Sequence, residues 1–124
     1  MVFFYKIRKE GFSMNCTESL KKQQHFNKVY KSGKSIANNL LVMYTLSDKS
    51  NKNHLGISVS KKVGNSVVRH RTTRLIRESY RINESFIKSG YTILFIARND
   101  IINKTYKDVE GAMLNLFKKT NLIK

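Results

Sequence analysis

Between positions 69 and 81 the chain carries five arginines, Arg69, Arg71, Arg74, Arg77 and Arg81, against one glutamate, Glu78. A guanidinium is a planar, permanently charged fork that can bridge two phosphate oxygens. Solvated helix faces normally mix both signs of charge for i,i+4 pairing, so a run this one-sided points to a polyanionic partner. The preceding segment KKVGNS, 61–66, adds Lys61 and Lys62, and its Gly64 and Asn65 are turn formers. A helix starting there, with Ser66 as the expected N-cap, would aim backbone donors and a favourable dipole at the same anion.

A second constellation is aromatic. Phe26 and Tyr30 are spaced i,i+4 on a short helical stretch, and Val42 and Tyr44 share one face of a strand. All four suit a core. A helix packed at a sheet edge would also leave a groove walled by these rings and rimmed by Lys21, Lys22, Lys28 and Lys62. Aromatic walls with a cationic rim are the composition of a cleft for single-stranded nucleic acid.

Other chemistries find little support. Gly33-Lys34-Ser35 echoes a phosphate loop, but Lys28 stands where the motif needs its first glycine, and a helix precedes it instead of a strand. His25, His54 and His70 fall on separate elements without ligand spacing, so no metal site is expected. Nucleases that hold metal ions themselves need clustered carboxylates, and the one close pair, Asp108 and Glu110, projects to different sides of a helix. Cys16 has no credible base beside it. No catalytic centre is expected in the protein itself.

The chain that must position these groups has 124 residues, 24 Lys plus Arg and 8 Asp plus Glu, a net charge of +16. The charge is patterned: residues 1–35 and 61–81 each hold a net +6, whereas 36–60 and 82–124 contribute +1 and +3. Hydrophobic residues at 40% suffice for one modest core. A single cysteine excludes an internal disulfide framework and suits a reducing cytoplasm. No run nears the roughly 20 apolar residues of a spanning helix. The expected location is cytoplasmic, with neither a membrane nor DNA as partner.

Periodicity predicts a helix over 23–31, strands over 40–46, 54–60 and 91–97, a long helix over 67–88 and a closing helix over 105–119, with a short extra strand near 35–38. On the long helix, Val68, Leu75, Ile82 and Phe86 would pack, while His70, Arg74, Arg77, Arg81 and Lys88 would lie opposite them and Arg69 and Arg71 on the flanks. The first 13 residues lack clear periodicity, and 1–17 are read as a flexible N-terminal extension to a single domain over 18–124. The result is an α+β domain in the order α-β-β-α-β-α.

The run GISVSKKVGNSVVRHRTTRLIRESYR, 56–81, closely resembles the signature of the bacterial ribonuclease P protein subunit, R-N-R-x-K-R-x-x-R-E after an S-K-K-x-G-N-A-V turn. Arg69, Arg71, Arg74, Arg77 and Glu78 match in register, while His70 and Thr73 replace the family's asparagine and lysine. The likeness extends to HFNKVYKSGKSIANNLLVMYTL before this run and YTILFIARND after it. It implies a mixed sheet of about four strands with a left-handed βαβ crossover, like the second domain of ribosomal protein S5. It also implies a function: binding a catalytic RNA that removes the 5′ leader of precursor tRNA with Mg2+ held mainly by the RNA. Lys61, Lys62, Asn65, Arg69, His70, Arg71, Arg74 and Arg77 would then face the catalytic RNA. The leader cleft would comprise Lys21, Lys22, Phe26, Tyr30, Val42 and Tyr44. A ribosomal or other structural RNA-binding protein is the competing reading.

Overall fold

The computed structural model describes residues 2–5, 17–20, 23–48 and 50–124. In chain order the elements are β1 (Val2–Tyr5), β2 (Thr17–Ser19), α1 (Gln23–Ser32), β3 (Lys34–Ala37), β4 (Leu41–Ser47), β5 (Asn53–Ser60), α2 (Ser66–Asn83), β6 (Tyr91–Ala97) and α3 (Tyr106–Lys119). Single 3-10 turns follow α2 at Glu84–Phe86 and β6 at Asn99–Ile101.

One six-stranded mixed sheet runs β1-β5-β6-β4-β3, with β2 also paired to β5. Its centre is the parallel pair β5 and β6, joined through α2 as a βαβ unit. The expected α-β-β-α-β-α order and α+β class hold, but the sheet has six strands where about four were expected. The additional two come from the N-terminal stretch set apart at 1–17 and its border: Val2–Tyr5 pairs antiparallel with Ile57 to Ser60, and Thr17–Ser19 pairs parallel with Asn53 to Leu55. Strands of four and three residues are too short for a period-2 pattern to reveal.

Alternation sorts the strands onto two faces. Leu41, Met43, Leu55, Ile57, Val59, Ile93 and Phe95 point to the face covered by α2 and α3, where they join Ile76, Tyr80, Val109, Met113, Leu116 and Phe117 in the main core. The opposite face carries α1 and a much smaller cluster of Leu20, Phe26, Val29 and Leu94.

Val68 and Leu75 pack against the main core as expected, but the buried side of α2 is turned away from the other two apolar positions. Thr72, Thr73, Ile76, Ser79, Tyr80 and Asn83 face inward, while Ile82 and Phe86 are 48% and 58% exposed. The hydroxyls explain the turn: Thr72, Thr73 and Ser79 donate to the carbonyls of Val68, Arg69 and Leu75, so each enters the core with its donor satisfied. The helix also stops early, at Asn83, whose amide donates to the Ser79 carbonyl and to Glu110 on α3. Lys88 therefore lies beyond α2, held through its N–H to the Leu122 carbonyl.

Candidate nucleic-acid interface

The face of the sheet under α1 is built of three cross-strand rows. His54, Thr92 and Leu46 form the first; Gly56, Leu94, Tyr44 and Ser35 the second; Ser58, Ile96, Val42 and Ala37 the third. α1 ends over the middle of this surface because Gly33 fits closely against β4. A Cβ on Gly33 would stand 2.5 Å from the Val29 carbonyl oxygen and 2.8 Å from that of Thr45. Gly33 is thus required by close backbone approach and not by phosphate binding. The third row extends beyond the helix, leaving Val42 and Ile96 half-buried and Ala37 exposed.

The four aromatic-groove residues separate into two kinds. Tyr30 and Tyr44 meet edge to face, ring centroids 5.0 Å apart, and both remain half-buried beside Val42. Burial, reinforced by Tyr44, pushes the Tyr30 phenol up. Phe26, only 4% exposed, is a core residue whose ring lies over Gly56 and holds α1 down. It offers no stacking surface. Lys21 and Lys22 lie outside the described residues; Lys28 and Lys62 are exposed, but Lys28 stands on the other flank of α1, beside Leu46 and His54, and does not rim the groove. Sequence reasoning missed Ser58 and Ile96 as the groove floor; the small, alternate residues Gly56 and Ser58 on β5 were the available signal.

The cationic surface begins where β5 ends. Val63 is buried and anchors the turn, leaving Lys61 and Lys62 exposed. The N-cap of α2 is Asn65, not Ser66: its side-chain oxygen accepts the Val68 N–H at 3.1 Å. His70, Arg71 and Arg74 are exposed on the outer face of α2, whereas Arg69 and Arg77 are half-buried at its sides. Arg71 donates to the Lys104 carbonyl at 3.1 Å, which fixes its stem against the segment before α3. Burial, with Arg74 adding to it and Glu78 opposing, pushes the Arg77 guanidinium down. Arg81 is bound by two hydrogen bonds to the Glu78 carboxylate. Thr73, where the family signature has lysine, is 5% exposed, so the missing charge belongs to an inward-facing position.

The carboxylates nearby are structural. Asp108 completes a capping box with Thr105 at the start of α3. Glu110 accepts from Asn83 and from the Tyr106 hydroxyl, tying α3 to α2, while burial and that bond push Tyr106 up to about 12. At the far end of the sheet, burial pushes the Asp48 carboxyl up, but hydrogen bonds from the Ser50 N–H, His54 and Thr92 outweigh it and hold it below the usual range. Its contribution to stability is complete above the unfolded carboxyl pKa of about 3.9 and is lost as pH falls through the lower folded value. Asp48→Asn should flatten the acid limb of a Tm-against-pH curve below about pH 4; an unaltered limb would show that this carboxylate has no part in it.

The two surfaces meet. β5 and β6 are parallel, so Lys61, which continues β5, and Arg98, which continues β6, emerge at the end of the sheet to which the third row belongs. A polyanion on the outer face of α2 and an extended strand over Tyr44, Val42 and Ile96 would therefore converge on one edge.

The Ribonuclease P family profile matches residues 14–121. The ribonuclease P protein component of Alkaliphilus oremlandii is 50% identical over 110 residues, 89% of this chain and 96% of that protein. That of Lachnoclostridium phytofermentans is 53% identical over 86% of this chain and 92% of that protein. The RNase P protein of Staphylococcus aureus superposes with a TM-score of 0.79 at 34% identity, covering 86% of this chain and 97% of that one. For the Thermotoga maritima protein the values are 0.77 and 29%, with 82% and 96% covered. Among the described residues no helix is long and apolar enough to cross a membrane.

Proposed function

Because the chain belongs to the ribonuclease P protein family, a subunit of a ribonucleoprotein endoribonuclease, we propose that it binds the catalytic RNA through α2 and holds the precursor-tRNA leader in the groove beside α1. Lys61, Lys62, Asn65, Arg69, His70, Arg71, Arg74 and Arg77 form the RNA face, with His70, Arg71 and Arg74 in the most exposed positions. Tyr30, Val42 and Tyr44 line the leader path over Ile96, and Phe26 supports it from beneath. Chemistry would belong to the RNA, which would hold most of the Mg2+ that the hydrolysis needs.

The protein's contribution is electrostatic and positional. Catalytic RNA and precursor tRNA repel each other, and a +16 subunit between them offsets that repulsion and lowers the divalent-ion requirement. Holding the leader fixes the scissile phosphate near the RNA's metal ions. The observation that carries the proposal is the convergence of the arginine face and the groove over Tyr44, Val42 and Ile96 on one edge of the sheet.

The decisive experiment mixes the purified chain with a bacterial ribonuclease P RNA and precursor tRNA at low, near-physiological Mg2+ and follows leader release. Cleavage needing both components is expected. RNA binding without any gain in cleavage would transfer the protein to the structural RNA-binding class, and cleavage by protein alone would overturn the assignment of chemistry to RNA.

Tyr30→Ala and Tyr44→Ala should each weaken binding of leader-bearing tRNA to the assembled enzyme by about 1–3 kcal/mol, with little effect on leaderless tRNA. Equal losses for both substrates would reduce the pair to packing. Phe26→Ala should instead cost about 3–5 kcal/mol of folding stability, read as a fall in Tm before any RNA is added.

A further inference from the structure

On the side of α1 away from the leader groove lies a cavity of about 250 Å3, set over the first cross-strand row. Its floor is apolar, formed by Leu20, Val29 and Leu46, and its inner wall is polar, formed by Asp48, His54 and Thr92. α1 supplies the outer rim with His25 and Lys28, both exposed. Cavities for larger organic ligands run to about 300–1,000 Å3, so this one has room for a single flat heterocycle and not for a duplex.

The polar wall is held rigidly. The Asp48 carboxylate accepts the Ser50 N–H at 2.9 Å, His54 Nδ1 at 3.0 Å and the Thr92 hydroxyl at 3.0 Å. A carboxylate offers about four acceptor positions, so one remains for a ligand donor. Nε2 of His54 faces Glu18 at 3.6 Å, and Glu18 pairs with Lys52 at 3.2 Å, which fixes the ring from its other side. Both ring nitrogens are thereby directed at carboxylates. Among the described residues no three His, Cys, Asp or Glu side chains converge as a metal site would require. The arrangement suits an organic group with an apolar face, an N–H edge for Asp48 and a negative charge for Lys28.

Resting on the reading that RNA is the partner, we propose that this cavity is a second, single-nucleotide subsite. It takes one unpaired base with an N–H for the open position on Asp48, guanine above all because its two-ring face covers more of Leu20, Val29 and Leu46 than a pyrimidine does, with the 5′-phosphate on Lys28. The subsite is separated from the leader groove by α1, so one helix carries a nucleotide contact on each flank.

The chain has three histidines, and this permits a direct test. His25 and His54 line the cavity and His70 stands on α2, so their imidazole NMR signals report the two surfaces separately. GMP should shift His54 and His25 saturably, with half-saturation at a concentration at least tenfold lower than for UMP, while inorganic phosphate leaves His54 in place. Asp48→Asn should weaken GMP about tenfold. Lys28→Gln, outside the hydrogen-bond network, should weaken it severalfold and remains informative should Asp48→Asn fail to fold. GMP shifts confined to His70, equal responses of His54 to phosphate and GMP, or equal affinity for GMP and UMP would each overturn the subsite. Leader release is measured on the same preparation: its failure alongside intact GMP binding would reject the subunit's role, and the reverse outcome would reject only the subsite.

Discussion

Replacing Arg71 and Arg74 together with alanine is expected to lower affinity for a ribonuclease P RNA by roughly a hundredfold or more near 0.1 M salt. Charge-assisted hydrogen bonds contribute about 1.5–3 kcal/mol each, and both guanidiniums stand on the exposed face of α2. The pair should also reduce the slope of log K against log salt by about 1.4–1.8, since each lost phosphate contact removes roughly 0.7–0.9. The folded state should change little, because relief of the Arg74 charge beside Arg77 is offset by loss of the Arg71 hydrogen bond to the Lys104 carbonyl. Titrations at several salt concentrations, with a parallel Tm, measure all three effects. An unchanged salt slope would remove α2 from the RNA interface. Arg81→Ala is the internal control: with its guanidinium already hydrogen-bonded to Glu78, it should alter the slope far less than either of the other arginines.

The second large effect is expected from a single methyl group. Gly33→Ala places a Cβ 2.5 Å and 2.8 Å from two backbone oxygens, on Val29 and Thr45. Neither belongs to a side chain that could rotate away, so α1 must move off β4. Overpacking of this kind costs about 1–3 kcal/mol, occasionally more; with two rigid contacts the upper end is expected, a loss of about 10 °C in Tm. Leader affinity should fall with it, because the displaced helix carries Tyr30 away from Tyr44. Catalytic-RNA affinity should hold, since α2 packs on the other face of the sheet. A Tm within about 2 °C of the parent would show that the helix end accommodates the methyl, and loss of catalytic-RNA binding would show that the two surfaces are not separable.

Much of this architecture is legible in the sequence where one physical signal dominates. The apolar run YTILFIA marks β6 because a central strand is covered on both faces. The periodic positions Val109, Met113 and Leu116 mark α3, and alternation along 54–60 marks β5. The arginine run is legible because charge of one sign has no packing use. What escaped was decided by groups whose polarity misleads. Thr72, Thr73 and Ser79 read as surface residues but enter the core through bonds to their own helix, and this displaced the inferred packing face of α2 toward Ile82 and Phe86. Phe26 reads as a stacking ring until Gly56 is seen beneath it. The row beneath the leader path depends on which residues of three strands stand side by side, and spacing within one strand carries no such information.

The unequal covering of the two sheet faces has a consequence for motion. Among the described residues, the α2 and α3 side joins nineteen buried residues in one cluster, whereas α1 is held by a cluster of four. Local opening follows such differences in apolar contact, so backbone amides of α1 should exchange with deuterium well before those of β5 and β6. Because α1 also forms the wall of the leader groove, a bound strand would have to still that wall, and part of its binding free energy would be spent as ordering. Leader binding should then appear as slowed exchange concentrated in Phe26 to Ser32, and sequence changes that raise the helix-forming tendency of the exposed positions Gln24, Asn27 and Lys31 should tighten the enzyme's hold on precursor tRNA without touching the groove.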